Sequence, residues 1–254
     1  MTPTDWLVAV LTGFGAGVLS GAFGVGGGIL MTPAISAIMG VPGNIALFTP
    51  LPVIIPTAMT GASRYYKAGK VDMRAARLVV VPGALGALMG ALATEYVPSR
   101  WLLIATAVIL AWQSIGIIRG SDTAERDALP VPGWKFAVTG LIAGLVSGLL
   151  GIGGGLVMVP VFASLLGMPL KKALGTSLFV MPALALVAAI QHIALGNVDW
   201  GIAAGMIVGV IPGAILGARL SLRAKDRNLR IAVGSFMLAV AVLYGITQLT
   251  GSGS

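Results

Sequence analysis

Long apolar runs separated by short polar segments make up most of the chain. Eight of them approach the roughly 20 residues that an α-helix needs to cross a bilayer, and they lie at residues 5–22, 44–63, 75–94, 101–118, 134–150, 173–193, 198–218 and 231–249. Two shorter runs lie at 28–40 and 155–167. The composition agrees, because only 9% of the residues are charged, whereas a soluble domain carries about 25%. The pattern predicts an all-α, polytopic helical membrane protein.

An internal repeat relates the two halves of the chain at an offset of 127 residues. The stretch "GAFGVGGGILMTP" begins at Gly21, and "GLLGIGGGLVMVP" begins at Gly148. The same register later aligns Pro42 with Pro169, Gly69 with Gly196, Asp72 with Asp199 and Gly90 with Gly217. We therefore predict a first repeat over residues 1–118, a cytoplasmic linker over 119–133 and a second repeat over 134–254, all within one membrane domain.

The formal net charge of +8 comes from basic residues that gather at helix ends, which indicates cytoplasmic loops beside a lipid bilayer and not a nucleic-acid surface. The loop 64–77 contains five basic residues, whereas its equivalent in the second repeat contains only His192 and Asp199. The next pair of loops reverses this bias, because 219–230 holds five basic residues and 95–100 holds one. Equivalent loops are thus predicted to face opposite sides, which is typical of an inverted-topology repeat.

Inversion requires each half to cross the membrane an odd number of times. Three clear spans follow the glycine cluster in each half, so residues 5–40 and 134–167 are each predicted to form a helical hairpin or broken helix pair that turns at the glycines. Five crossings per half also satisfy the parity, but 28–40 and 155–167 are short for full spans. Non-helical backbone at membrane depth is tolerated only inside protein or beside a wet cavity, and inversion would bring both turns toward one central place.

The chemistry of these turns favours a small anion as the substrate. A helix that begins at Gly28 or Gly155 presents unbonded N–H groups and a partial positive charge, whereas all eight acidic residues fall in termini, loops or helix ends. The predicted substrate-binding residues are the turn glycines and neighbouring hydroxyl residues: Gly26, Gly27, Gly28, Gly153, Gly154, Gly155, Thr49, Thr176 and Ser177, with Ser20 and Ser147 as weaker candidates. The alternatives are that the glycines form only a turn and that each hydroxyl bonds its own helix backbone.

Other chemistry has less support in the sequence. His192 is the only histidine, and with Asp199 it could relay a proton on the external side; a helix-end histidine without that duty is the alternative. A Ser147–His192 protease dyad is disfavoured, because Tyr65 replaces the histidine in the other half. The chain has no cysteine and no cluster with metal-ligand spacing. We therefore predict that it is not an enzyme and uses no metal or cofactor.

The paired motifs "SGAFGVGGGILMTP" and "SGLLGIGGGLVMVP", followed by "GVPGNIALFTPL" and "GMPLKKALGTSL", resemble the sulfite exporter TauE/SafE family of bacterial membrane transporters. The resemblance covers nearly the whole chain. It implies export of small sulfur-containing anions, such as sulfite or organosulfur acids like sulfoacetate, across the cytoplasmic membrane. The chain departs from its own repeat where Pro50 stands opposite Ser177, which leaves the first half with one hydroxyl fewer.

We accordingly expect a multi-pass secondary transporter of the inner (cytoplasmic) membrane whose partners are a small anionic substrate and the lipid bilayer, with no nucleic acid. An anion channel and a carrier of another small organic anion are the alternatives, because the same lining would serve them. A homo-oligomer is also left open.

Overall fold

The computed structural model describes residues 3–41, 43–94, 111, 114–115 and 131–249. Its helices are α1 (Pro3–Phe23), α2 (Gly28–Met39), α3 (Gly43–Phe48), α4 (Pro50–Lys67), α5 (Met73–Ala93), α6 (Gly133–Leu150), α7 (Gly155–Pro160), α8 (Leu170–Ala194), α9 (Trp200–Arg223) and α10 (Asp226–Leu249). A π-helical turn, Val161–Leu165, continues α7. The predicted span at 101–118 lies outside the described residues except at positions 111, 114 and 115, and the linker does so up to residue 130.

The predicted all-α, polytopic architecture is confirmed. Six helical segments in the described part of the chain are long and apolar enough to cross a membrane: Pro3–Phe23, Ile45–Lys67, Met73–Ala93, Gly133–Leu150, Leu170–Ala194 and Trp200–Arg223. Each of them overlaps one of the predicted runs. The two short runs correspond to α2 and to α7 with its π-helical turn, and the predicted run at 231–249 lies within α10.

The glycine clusters interrupt the helices at equivalent places in the two halves. The φ angles are 69°, 83° and 75° at Gly24, Gly26 and Gly27, and 67°, 78° and 75° at Gly151, Gly153 and Gly154. Glycine adopts these left-handed angles without the steric cost that a Cβ atom brings. The clusters therefore end α1 and α6 and start α2 and α7, as the hairpin or broken-pair prediction requires.

Glycine ladders pack helices of one half against helices of the other. Cβ atoms placed on Gly13, Gly17 and Gly21 of α1 would meet the backbone of Met206, Val210 and Ala214 in α9. In the same way, Gly140, Gly144 and Gly148 of α6 lie against Val79, Gly83 and Ala87 in α5. Small residues let membrane helices approach this closely. The α1–α9 and α5–α6 pairs therefore interlock the two repeats.

The helices α4 and α8 pack together in antiparallel fashion. The ring of Phe48 stacks on His192 with centroids 3.5 Å apart, and a Cβ atom on Gly61 would lie 3.1 Å from the side chain of Leu178. Positions along α8 therefore descend as positions along α4 ascend. In the two ladder pairs, by contrast, the contacting positions ascend together, so those helices are parallel.

Two further registers set the remaining directions. Asp199 lies beside Thr49 and Ile215 beside Arg64, so α4 and α9 are parallel. Asp72 lies beside Thr176 and Gly83 beside Leu184, so α5 and α8 are parallel. The helices α1, α4 and α9 thus run one way, and α5, α6 and α8 run the other. Equivalent helices of the two halves run in opposite directions, as an inverted repeat requires; the membrane face that each loop occupies stays a prediction.

A proline lies within one helix of the first half where its equivalent has a serine. The segment Ile45–Lys67 stays helical at Thr49, whose φ and ψ angles are −54° and −32° and whose N–H donates to Ile45 O at 2.9 Å. Pro50, which stands opposite Ser177, has no N–H to donate to the preceding helical turn. The helices α3 and α4 are therefore two parts of one span, which corresponds to the single run predicted at 44–63.

Candidate functional site

The two glycine turns meet in the interior of the protein. A Cβ atom on Gly28 would lie 3.1 Å from the carbonyl oxygen of Gly151, and one on Gly155 would lie 3.0 Å from the Cα of Val25. Residues 24–28 and 151–155 are buried throughout. The structure thus brings all six candidate glycines together in one closed place.

Several backbone N–H groups in these turns have no internal acceptor. The N–H of Gly24 donates to Ser20 O at 2.8 Å and that of Gly151 to Ser147 O at 2.9 Å, which closes the ends of α1 and α6. Within the described residues, no backbone carbonyl accepts the N–H groups of Gly26, Gly27, Gly153 and Gly154. Buried N–H groups are almost always paired, and unpaired ones at the start of a helix are suited to an anion.

The side-chain hydroxyls of Ser20 and Ser147 are also buried without a hydrogen-bond partner among the described residues. Both side chains are 0% exposed, and neither Oγ atom has a hydrogen-bond partner within the described part of the chain. Neither serine therefore bonds its own helix backbone, which was the alternative for these residues. A buried hydroxyl left unpaired costs about 1–3 kcal/mol, so two of them at equivalent positions beside the turns call for a functional explanation.

Ile54 and Met181, equivalent residues of α4 and α8, fill the space between the turns. The Cε of Met181 would lie 3.1 Å and 2.9 Å from Cβ atoms placed on Gly153 and Gly155, and the Cδ1 of Ile54 would lie 3.2 Å from one on Gly28. Both side chains are fully buried. The sequence reasoning missed the pair, because each residue looks like an ordinary apolar helix position, and only their equivalence at the repeat offset singles them out.

The two candidate threonines make matching bonds between the halves. Asp199 N–H donates to Thr49 Oγ1 at 3.0 Å, and Asp72 N–H donates to Thr176 Oγ1 at 2.9 Å. Each oxygen acts as an acceptor, so the hydroxyl proton is left to donate. The structure places the threonines one at each end of the α4–α8 pair, where each joins its own repeat to the other.

Ser177 contacts the first glycine turn directly. Its Oγ donates toward Gly24 O at 3.0 Å and toward Leu174 O at 2.9 Å, and the single hydroxyl proton is shared between these two carbonyls. Because Pro50 occupies the equivalent position, the second turn has no such bond. The first half was predicted to have one hydroxyl fewer. In the structure, this difference means that the first turn accepts a hydrogen bond from Ser177 and the second turn has no equivalent bond.

Tyr65 and His192 occupy equivalent positions and contact equivalent carbonyl oxygens. The Tyr65 hydroxyl lies 3.2 Å from Gly21 O and donates to Ser221 Oγ at 2.7 Å. The Nε2 of His192 lies 3.4 Å from Gly148 O, and its buried Nδ1 has no partner in the described part of the chain.

The carboxylate of Asp199 acts as a helix cap. Its Oδ1 accepts the N–H of Ile202 at 3.0 Å, and the equivalent Asp72 accepts that of Ala75 at 2.9 Å. A side-chain oxygen at this position satisfies an N–H group that the first helical turn leaves unbonded. The proton relay between His192 and Asp199 stays a prediction.

Comparison with known proteins agrees with this architecture. Residues 9–244 match the family described as "Sulfite exporter TauE/SafE". A "Probable membrane transporter protein" of Xylella fastidiosa is 29% identical over 249 residues, covering 95% of each chain, and one of Methanocaldococcus jannaschii is 28% identical over 250 residues, covering 90% of this chain and 91% of the relative. One of Haemophilus influenzae is 30% identical over 185 residues, or 68% of each chain. No solved structure matches significantly.

The names of the family and of these relatives indicate a membrane transporter and not an enzyme. The chain belongs to the sulfite exporter TauE/SafE family as a multi-pass membrane protein.

Proposed function

We propose that this protein is a secondary transporter that carries small sulfur-containing anions, such as sulfite or short organosulfonates, across the cytoplasmic membrane, and that the anion is held at the two glycine turns. The observation that carries the proposal is the pairing of these two buried turns with the hydroxyls of Ser20 and Ser147. Among the described residues, no backbone carbonyl accepts the N–H groups of Gly26, Gly27, Gly153 and Gly154, and the two hydroxyls have no partner. The family name supplies the sulfur chemistry of the substrate.

The donors around the turns suit an oxyanion. Backbone N–H groups and hydroxyls all donate hydrogen bonds to negative oxygen atoms, and such charge-assisted bonds are stronger than neutral ones. The carboxylates of Asp72 and Asp199, which follow the turns in the two halves, are used as helix caps. A doubly or singly charged oxyanion would thus find donors without a carboxylate to repel it.

Ile54 and Met181 supply the gate in this proposal. Both side chains pack against both turns, and they sit on helices that run in opposite directions. The threonine bonds join α4 to Asp199 at one end of this helix pair and α8 to Asp72 at the other. Release of one threonine bond at a time, with movement of the adjacent apolar side chain, would expose the turns to one side of the membrane and then to the other.

The first prediction tests the serines, because the glycines cannot be tested cleanly. Gly27 and Gly154 both have a φ of 75°, so any side chain there strains the fold whether or not the site binds substrate. For the Ser20→Ala, Ser147→Ala double variant in liposomes, we expect the half-saturating sulfite concentration to rise at least tenfold, about 1.4 kcal/mol. Its Tm should be unchanged or higher, because two unpaired buried hydroxyls are removed.

Thr57→Val is the matched control for this experiment. The Thr57 hydroxyl is also buried, but it donates to Val53 O of its own helix at 2.6 Å, so sulfite transport should keep its half-saturation. If the folded double serine variant keeps the half-saturating sulfite concentration of the parent protein, the substrate does not bind at the turns. Saturable flux that is accelerated by sulfite on the far side indicates a carrier, whereas single-channel currents would contradict this proposal and favour the channel.

A further inference from the structure

The exposed face of α4 carries residues that differ from those on the equivalent face of α8 in the second repeat. Two clefts flank this face and share Met59 and Ser63. One, of about 320 Å³, lies toward α9 and is lined by Met59, Thr60, Ser63, Arg64, Lys67 and Ile215. The other, of about 430 Å³, lies toward α8 and is lined by Met59, Ala62, Ser63, Tyr66, Phe179 and Pro182. We call the two together the α4 groove.

The α4 groove combines a basic, hydroxyl-bearing end with apolar walls. Arg64 and Lys67 lie in the last turn of α4, and cations at the end of a membrane-spanning helix reach the level of the lipid headgroups. Met59 lies further from that end and is 58% exposed, although it sits on a spanning helix. One part of the groove therefore lies at headgroup depth and the other at the depth of the acyl chains.

The polar groups of the groove are not required by the fold. The second repeat has Val187, Ile190, Gln191 and Ala194 where the first has Thr60, Ser63, Arg64 and Lys67. The equivalent face of α8 is apolar and exposed, with Leu186 49% and Ile190 60% exposed. The same helix in the same architecture thus forms without these two charges and two hydroxyls. The cytoplasmic bias of loop 64–77 accounts for the two charges alone, whereas two hydroxyls beside them, between apolar walls, suit a ligand that is polar at one end and apolar at the other.

The groove is positively charged, and no carboxylate lines it within the described part of the chain. An ion pair among the same residues joins Lys171 to Asp226 instead, at the start of α8 and α10. Basic pockets between spanning helices on the cytoplasmic side attract anionic headgroups. A soluble anion would gain nothing from the apolar walls of Phe179, Pro182 and Ile215, whereas a lipid would cover them with its chains.

We propose that the α4 groove is a binding site for an anionic phospholipid, whose phosphate contacts Arg64 and Lys67, with the hydroxyls of Thr60 and Ser63 donating beside them, and whose acyl chains lie on Met59, Phe179 and Ile215. This site lies on the outer face of α4 and is separate from the buried glycine turns. It stands or falls independently of the transported substrate.

The test, our second prediction, uses the full chain purified in neutral detergent, with added phosphatidylglycerol or phosphatidylcholine of matched acyl chains. We expect phosphatidylglycerol to raise the Tm and to remain bound in native mass spectrometry, and phosphatidylcholine to do neither. The Arg64→Gln, Lys67→Ala double variant, which installs the residues of the second repeat, should require at least tenfold more phosphatidylglycerol for the same Tm increase.

Two further variants keep this test decisive. Arg74→Gln, Arg77→Ala removes two charges from exposed residues of α5 that do not line the groove, and it should respond to phosphatidylglycerol like the parent protein. Ser63→Ile, which copies Ile190, should weaken binding without a change in charge. Equal losses in both double charge variants, or equal effects of the two lipids, would overturn the proposal. Stabilisation by inorganic phosphate that competes with phosphatidylglycerol would replace the lipid by a soluble oxyanion and would also overturn it.

Discussion

The two halves of this protein share one backbone plan but differ in the side chains that hold their turns. Equivalent glycines have φ angles within a few degrees of each other, and equivalent threonines make the same bond to equivalent aspartates. Other equivalent positions carry different side chains, notably Tyr65 against His192. The repeated features define the architecture, and the positions that differ are therefore where the two ends of the transport path can acquire different chemistry.

Tyr65 and His192 show how such a difference is built. Both rings approach the carbonyl of a packing glycine, but Tyr65 also donates to Ser221, while His192 stacks on Phe48 and its Nδ1 has no partner among the described residues. Tyr65 is thus joined to the second half by a hydrogen bond, and His192 is joined to the first half by ring stacking. Hydrogen bonds have a narrow geometry, so we infer that the two ends open with different requirements.

The largest expected effect comes from substitutions in the glycine ladders, which both halves share. A Cβ atom on Gly17 would lie 2.6 Å from Val210 O and 2.8 Å from its Cα, and one on Gly144 would clash with Gly83. Gly17→Ala and Gly144→Ala should each destabilise the protein by about 3 kcal/mol, because the helices must separate. The measurement is the Tm in detergent.

Gly15→Ala provides the control for these ladder variants. A Cβ atom on Gly15 meets nothing within 4 Å, so this change should leave the Tm unchanged or raise it, since alanine favours helix by about 1 kcal/mol over glycine. If Gly15→Ala lowers the Tm as much as Gly17→Ala, close packing is not the reason for the ladders.

A smaller effect should distinguish the two halves. Tyr65→Phe removes a hydroxyl bonded at 2.7 Å and leaves Ser221 without that partner, so we expect a loss of about 2 kcal/mol. His192→Phe removes only a long contact of 3.4 Å and keeps a ring against Phe48, so its loss should be below about 1 kcal/mol. Chemical denaturation of both variants measures the two losses in free energy of unfolding. Equal losses would mean that the Tyr65 hydroxyl and the His192 imidazole contribute equally to stability.

The threonine bonds should contribute equally in the two halves. Thr49→Val and Thr176→Val each remove an acceptor from an aspartate N–H at 3.0 Å or 2.9 Å while keeping the shape of the side chain. We expect about 1 kcal/mol from each, and additive losses in the double variant because the two bonds lie far apart. Unequal losses in the same denaturation measurement would mean that the two ends are closed to different degrees.

Much of the helical architecture could be predicted, because a backbone in lipid must satisfy its own hydrogen bonds. The run predicted at 5–22 is Pro3–Phe23 in the structure, and the run at 75–94 is Met73–Ala93. The prediction stopped short at 63, where the helix continues to Lys67, since hydropathy falls at Arg64 although the backbone stays helical into the headgroup region. Pro50 does not end this helix, because Thr49 keeps helical angles and its N–H still donates to Ile45 O.

The candidate site was predictable in its backbone and not in its side chains. The composition of each glycine cluster predicts a turn, and the 127-residue offset indicates that the two turns are equivalent. Which residue fills the space between the turns depends on how α4 packs against α8, so Met181 could not be distinguished from other apolar residues. The bonds from Asp199 to Thr49 and from Asp72 to Thr176 likewise join segments from different halves, and no local pattern indicates them.

The glycine ladders also impose an order on assembly. When α6 leaves the ribosome, its partner α5 has already been made, 40 residues earlier. The partner of α1 is α9, which begins at Trp200, so the first helix of the chain waits through most of synthesis with its glycine face uncovered. Long-range contacts of this kind slow folding. The first glycine turn has its neighbours earlier, once the chain has been made as far as Met181, and in both cases the second half of the chain completes the packing of the first.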